Sequence, residues 1–72
     1  MGKRLSTHES ELGKGYAEVH FDFKEELAYI KYFDNHSKQF FTEEFPGKTV
    51  RYAEDAAENW ALGIKKLEPA LH

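Results

Sequence analysis

The sequence contains no cysteine, which excludes disulfide bonds and zinc sites built on thiolates. It also contains no apolar run near the roughly 20 residues that a membrane-spanning helix requires. Basic residues are outnumbered, 10 against 13 acidic residues, and the formal net charge is −3. Because binding to a phosphate backbone depends on Lys and Arg, this balance argues against a protein that recognises phosphates alone.

The first ten residues, MGKRLSTHES, lack the apolar stretch of a signal peptide, so we expect a cytoplasmic protein. At 72 residues the chain has room for one domain. A domain of this size buries only about 60% of the surface of its unfolded chain, so its stability is marginal. Six Phe, four Tyr and one Trp supply the large side chains of its core.

Three segments alternate between apolar and polar residues, which predicts half-buried strands. Asp, Asn, Ser, Lys and Glu between these segments are typical of turns. The predicted strands are YAEVHFDF at 16–23, LAYIKYF at 27–33 and QFFTEEF at 39–45, the last with a bulge near Thr42.

The residues after Pro46 predict one helix, from about 50 to 67, with Thr49 as its N-cap. Trp60 is expected to be buried against the sheet among small alanines, which let the helix backbone approach closely. Gly63 is expected inside the helix, at a cost of about 1 kcal/mol relative to Ala.

The sequence thus predicts an α+β fold, a three-stranded antiparallel meander with one C-terminal helix packed on one face (β-β-β-α). The single domain would span residues 16–72. Residues 1–15 would form a flexible or short-helical N-terminal arm, since Ser6 and Glu9 have the spacing of a helical capping box.

No motif carries recognisable catalytic chemistry. The four histidines form no HxxxH or HExxH pair, and no serine lies in a GxSxG turn. The PGKT at 46–49 matches only the end of a phosphate-binding loop and lacks its first glycine. We therefore predict a non-enzymatic protein without catalytic residues, cofactor or metal ligands. A small metal-binding protein is the more remote alternative.

A helix on one face of the sheet would leave the opposite face uncovered, and that face would carry large side chains. The candidate interaction surface consists of Tyr16, His20, Leu27, Tyr29, Lys31 and Phe33, with Leu62 from the polar side of the helix.

This surface predicts a protein-interaction module with an unidentified protein partner. The alternative is nucleic-acid binding, with Tyr29 and Phe33 stacking on bases and Lys31, Lys38, Lys48 and Arg51 contacting phosphates. The same face, or an edge strand, is predicted to form a homodimer. The competing arrangement is a monomer in which residues 1–15 cover the aromatic side chains.

The segment QFFTEEFPGKTVRYAEDAAENW, at 39–60, leads from the last predicted strand through a short link into an alanine-containing helix. With the preceding strands, it resembles the AP2-type and integrase arm-type DNA-binding domains over residues 16–67. The resemblance implies DNA recognition by basic side chains on the exposed sheet face. Here that face carries Glu18 and Asp22 where phosphates would approach.

A second resemblance rests on the pattern Tyr-x-Glu-Asp-Ala-x-Glu-Asn-Trp-x-x-Gly-Ile, at residues 52–64. This pattern is similar to the ends of small uncharacterised proteins of tailed phages, especially phages that infect marine cyanobacteria. The resemblance implies a phage source and no biochemical activity. From the missing catalytic motifs and the uncovered sheet face, we expect such a phage-encoded protein to modulate a host protein in the host cytoplasm.

Overall fold

Residues 2–64, the part of the chain that the computed structural model describes, form one antiparallel sheet and one helix. The predicted α+β class is confirmed. The strands lie in the sheet in the order β1-β2-β3-β4, so sequential strands are neighbours throughout. In chain order the elements are β1 (Gly2–Glu9), β2 (Tyr16–Asp22), β3 (Leu27–Phe33), β4 (Gln39–Phe45) and α1 (Val50–Ala61).

The prediction of three strands is wrong, because Gly2–Glu9 pairs with β2 as a fourth strand. Ser6 and Glu9 therefore lie in a strand and form no helical capping box. The apolar alternation of β1 is interrupted at Leu5, where the pairing with β2 shifts register. His8 and Ser6 also occupy the face on which β2 buries Ala17 and Val19. An edge strand with this composition produces no period-two signal in the sequence.

The core lies between α1 and one face of the sheet. Tyr32, Ile30 and Val19 are the largest fully buried side chains. The predicted burial of Trp60 is confirmed, since 6% of its surface is exposed and its ring meets Tyr32 edge-on, with 5.1 Å between ring centroids. Small helix residues bring the two layers close together, and the buried ones are Ala53, Ala56, Ala57 and Ala61.

The helix begins as predicted and ends earlier. Thr49 is its N-cap, and the Oγ1 atom accepts a hydrogen bond from the backbone N–H of Tyr52 at 3.2 Å. The last helical residue is Ala61, and Gly63 follows the C-cap with a left-handed φ of +84°. Gly63 is therefore a helix terminator, and its predicted place inside the helix is wrong. Residues 65–67 of the predicted helix lie outside the described residues.

The end of α1 has the backbone hydrogen bonds of a Schellman motif. The N–H of Gly63 donates to the carbonyl of Trp60 at 3.0 Å, and the N–H of Ile64 donates to the carbonyl of Asn59 at 2.9 Å. The loop between β1 and β2 adds a third bond, from the N–H of Glu11 to the carbonyl of Ala61 at 2.7 Å. The helix end is thus fixed both by its own chain and by the loop that follows β1.

Aspartate side chains fix the two hairpins that set the register of β2, β3 and β4. The carboxylate of Asp22 accepts hydrogen bonds from the N–H groups of Lys24 and Glu25, and the bond from Glu25 is the main cause of its lowered pKa. The carboxylate of Asp34 accepts bonds from Lys38 and His36, and its pKa is lowered chiefly by the bond from Lys38. These turns determine which side chains meet across the sheet.

Candidate interaction surfaces

The sheet face opposite α1, called the outer face below, brings together six of the seven residues predicted for the interaction surface. Antiparallel pairing places Tyr16 opposite Phe33, and His20 opposite Tyr29. It also places Lys31 opposite Glu18, and Leu27 opposite Asp22. The seventh predicted residue, Leu62, is the C-cap of α1 and lies in the helical layer, so it does not join this surface.

Two aromatic stacks cross from β2 to β3 on the outer face. The rings of Tyr16 and Phe33 are 4.8 Å apart between centroids and inclined by 12°. The rings of His20 and Tyr29 are 5.1 Å apart and inclined by 10°. Because each ring lies face to face with its neighbour across the strands, one face of every ring is already occupied. The four side chains are half-buried by these contacts.

A charged cluster lies between the two stacks. One carboxylate oxygen of Glu18 is 3.0 Å from His20 Nε2, and the other is 3.6 Å from Arg4 Nη1. The Nζ atom of Lys31 lies 6.0 Å from the ring centroid of Tyr29. Since the side chains of Glu18 and His20 are mostly covered whereas that of Arg4 is 62% exposed, Arg4 is the most accessible of these three charged groups.

Within residues 2–64 the outer face is free of any covering element. The helix packs on the other face, against β1, β2 and β3. The loop at residues 10–15 does not fold over the aromatic stacks, because Leu12 lies beside Gly63 at the helix end. For the described residues, the predicted alternative in which an N-terminal arm covers the aromatic side chains is therefore wrong.

A metal site and a membrane-spanning helix are both absent from the described residues, and the contacts of His20 lie within the sheet. No group of three or more His, Cys, Asp or Glu side chains in this range could hold a metal ion. The imidazole of His20 contacts Glu18 through Nε2 and stacks on Tyr29, so its contacts tie neighbouring strands together. Among residues 2–64 no helix combines the length and the apolar character needed to cross a membrane.

A second concave surface, called the β4 groove below, lies between β4 and α1 and was not anticipated from the sequence. It encloses about 620 Å³. Its lining includes Glu43, Glu44, Phe45, Tyr52, Asp55 and Ile64. Because the pairing of Glu44 with Tyr29 places the Glu44 side chain on the outer face, the carboxylates on the groove side are those of Glu43 and Asp55. The one sequence signal for it is Glu43, which lies between Phe41 and Phe45 on the inward face of its strand.

Glu43 is held in a defined position at the β4 groove. The hydroxyl of Tyr32, whose side chain is fully buried, donates a hydrogen bond to the Glu43 carboxylate at 2.9 Å. Burial, followed by the nearby Glu43 charge, raises the pKa of the Tyr32 phenol well above its ordinary value. The tyrosine therefore remains a hydrogen-bond donor, and the carboxylate remains an oriented acceptor.

Comparison with known proteins adds no relative to this picture. No protein-family model matches the sequence, and neither curated proteins nor solved structures show a significant similarity to the chain. The geometry of the two surfaces is therefore the basis on which a function can be proposed.

Proposed function

We propose that this chain is a non-enzymatic protein-interaction module that binds its partner through the outer face. The observation that carries the proposal is a sheet face that no element of residues 2–64 covers and that carries two stacked aromatic pairs. Aromatic side chains at a protein interface contribute large apolar contact areas at a low cost in conformational entropy. Tyr16, Tyr29 and Phe33 are already held by stacking, so little further ordering is needed on binding.

The same geometry favours a protein over a nucleic acid as the partner. A base stacks on an aromatic ring whose face is accessible, whereas Phe33 and Tyr29 each turn one face to a neighbouring ring. The outer face also includes the carboxylates of Glu18, Asp22 and Glu44, which repel phosphate groups.

We propose a host protein as the partner of a phage-encoded chain, the source that the similarity of residues 52–64 to small tailed-phage proteins implies. A second copy of the chain is the other protein that fits the same surface. In that case the outer face of one copy would pack on the outer face of the other, as a twofold dimer requires.

Affinity capture with matched variants tests the proposal. The bait is the full chain, and the test variant combines Tyr29→Ala with Lys31→Glu. The control variant is Phe23→Ala, because Phe23 is 61% exposed and lies in the turn after β2. We expect the control to retain a partner that the test variant loses, with unchanged circular dichroism for both. Equal capture by all three chains would contradict a role for the outer face.

A salt titration with a short labelled oligonucleotide separates the proposal from the nucleic-acid alternative. We expect no saturable binding at physiological ionic strength. Binding that weakens steeply as salt increases, and that is lost in Lys31→Glu, would indicate phosphate contacts and would overturn the proposed function.

A further inference from the structure

The charges of the outer face are arranged so that this face complements itself. We propose that a second copy of the chain occupies the outer face when no other partner is bound, with a twofold axis parallel to the strands and midway between β2 and β3. This arrangement rests on the proposed outer-face function and adds the identity and the orientation of one occupant.

The register of the strands sets the outer-face residues side by side in rows across the sheet. Residues in these rows point outward because the positions that alternate with them on β2 and β3 are buried, namely Ala17, Val19, Ala28, Ile30 and Tyr32. From β1 to β4, the rows are Glu9, Tyr16, Phe33 and Gln39; then Thr7, Glu18, Lys31 and Thr42; then Arg4, His20, Tyr29 and Glu44.

A twofold axis parallel to the strands pairs opposite charges. It keeps every residue at the level of its row, and it sets β1 over β4 and β2 over β3 of the second copy. Arg4 then faces Glu44 of the second copy, and Glu18 faces Lys31 of the second copy. Each contact occurs twice because a twofold interface is the same patch on both copies. All four permanent charges of the two charged rows therefore meet an opposite charge.

The contact between Arg4 and Glu44 should contribute most to the recognition of the second copy. The Arg4 side chain is 62% exposed and Glu44 is also exposed, and both lie on the outermost strands of the sheet. Charges at the rim of an interface lose little hydration when they pair. Glu18 is already engaged within the chain, since its carboxylate lies 3.0 Å from His20 Nε2.

A twofold axis perpendicular to the strands fits the charges less well, because it sets each strand over itself. At the level of Glu18 and Lys31, such an axis would bring each of these residues against its own copy, and like charges repel. Midway between the two charged rows, it would bring Arg4 against Thr7 and Glu44 against Thr42. The rim charges would then face uncharged residues.

The size of the face determines how strongly two copies associate. Four strands of seven or eight residues, at about 4.8 Å between strands and about 3.3 Å per residue, give a face of roughly 450 Å². The dimer would bury roughly 900 Å² in total, which is below the roughly 1,200 Å² of stable complexes. We therefore expect a weak, reversible dimer at high micromolar concentration, which a tighter-binding partner can displace.

Two full-length variants that each reverse one charge test the arrangement. Arg4→Glu sets a carboxylate against Glu44 of the second copy, and Glu44→Arg sets a guanidinium against Arg4. Each variant alone should associate about tenfold more weakly than the natural chain in sedimentation equilibrium. An equimolar mixture of the two variants should recover the natural association, because the mixed dimer has opposite charges at both contacts.

The matched control is Glu58→Arg, which makes the same charge change at an exposed position of α1. It should associate as the natural chain does, and circular dichroism should be the same for all the variants. A mixture that associates no better than its two components would overturn the arrangement. Equal association of the natural chain and both single variants would overturn it as well.

Cross-linking tests the direction of the twofold axis. The natural chain has no cysteine, so Thr7→Cys and Thr42→Cys each introduce a single thiol at an exposed outer-face position. A short bis-maleimide should join the two variants in a mixture, because Thr7 of one copy faces Thr42 of the other. Efficient cross-linking of Thr7→Cys alone would set β1 over β1 and would overturn the proposed axis.

Two outcomes would assign the outer face to other occupants. A natural chain that sediments at 8.4 kDa and still captures its partner through the outer face would overturn this inference and leave the proposed function standing. Association of a full-length Leu67→Ser, Leu71→Ser variant, but not of the natural chain, would show that the chain's own residues occupy the face and would also overturn the inference.

Discussion

Gly63 and Gly15 fix the C-terminal end of α1 and the loop beside it, each for its own reason. Gly63 has a φ of +84°, a conformation in which a Cβ atom meets the following carbonyl. Gly15 has a φ of +119°, and a Cβ atom there would stand 1.9 Å from the carbonyl oxygen of Phe33. The first constraint is conformational, whereas the second is an overlap with rigid backbone that no side-chain movement relieves.

We predict that Gly63→Ala lowers the free energy of unfolding by about 1–2 kcal/mol. The left-handed conformation is the main cause, and a contact with Leu12 Cδ1 at 2.8 Å adds to it. Urea denaturation measures the change. Gly47→Ala is the matched control, because Gly47 also has a left-handed φ, +76°, but has open space around it. Its substitution should lower the free energy of unfolding slightly less than Gly63→Ala does. A gain of about 1 kcal/mol in Gly63→Ala would contradict the Schellman cap and place Gly63 inside a helix.

At the same scale, Tyr32 should make the stability of the fold sensitive to high pH. Its pKa is raised by burial and by the Glu43 charge, so the unfolded chain loses the phenol proton more readily than the folded chain. The contribution of the protonated Tyr32 phenol to the free energy of unfolding is fully present below about pH 10, the ordinary pKa of Tyr. It decreases as the pH rises above that value.

The variant Tyr32→Phe should lower the free energy of unfolding by about 1–2 kcal/mol at neutral pH, since the bond to Glu43 is lost. Above about pH 10 the natural chain and the variant should become more similar in their free energy of unfolding, because only the natural chain loses stability when the Tyr32 phenol ionises on unfolding. Urea denaturation at several pH values checks this, with Tyr52→Phe at a half-exposed position as the control. A difference that stays constant across the alkaline range would contradict the role of the buried phenol.

At the scale of elements, the sequence predicted β2, β3 and β4 because each buries one face and exposes the other. Val19, Ile30 and Phe45 on these strands supply the apolar period that identifies them. The same logic failed for β1, whose inward positions carry Ser6 and His8 and whose alternation is interrupted at Leu5. Ser6 donates a hydrogen bond to Glu54 on α1 at 3.3 Å, which is a polar tertiary contact without a local signature.

The outer face could be predicted from the alternation of residues along the strands, whereas the β4 groove could not, because it depends on how the helix packs on the sheet. Residues that alternate with the core positions must point to the opposite side, so Tyr29 and Phe33 follow from the period of two. The groove depends on where α1 crosses the sheet. That crossing brings Asp55 on the helix into the same groove as Glu43 on β4, and the sequence alone does not specify the angle or position of the crossing.

Removal of β1 should strongly destabilise the fold. A chain that begins at Ser10 lacks one of the two strands that pair with β2 and uncovers one side of Val19 and Ala17. Because a small domain has only about 5 kcal/mol of stability, we expect a largely unfolded chain. Circular dichroism with urea denaturation checks this, and the full-length Lys3→Ala, Arg4→Ala variant is the control. A truncated chain with the natural urea midpoint would show that residues 2–9 are a dispensable arm.

At the scale of the whole molecule, the outer face should also support self-association. Its aromatic stacks form an apolar surface that a twofold partner could cover. Sedimentation equilibrium at high micromolar concentration should give about twice the chain mass of 8.4 kDa. The variant Tyr29→Ala with Lys31→Glu should sediment as a monomer. A species of 8.4 kDa for the natural chain would contradict the dimer and leave a different protein as the partner of the outer face.

The central claim is that the outer face, and not another surface, contacts the protein partner. The most direct measurement is nuclear magnetic resonance of the isotope-labelled chain with and without the captured partner, observed at aromatic side chains. The resonances of Tyr16, Tyr29 and Phe33 should shift or broaden, whereas those of Phe23 in its exposed turn should stay unchanged. The opposite pattern, with the outer-face rings unaffected and Tyr52 perturbed, would contradict the account and place the partner at the β4 groove.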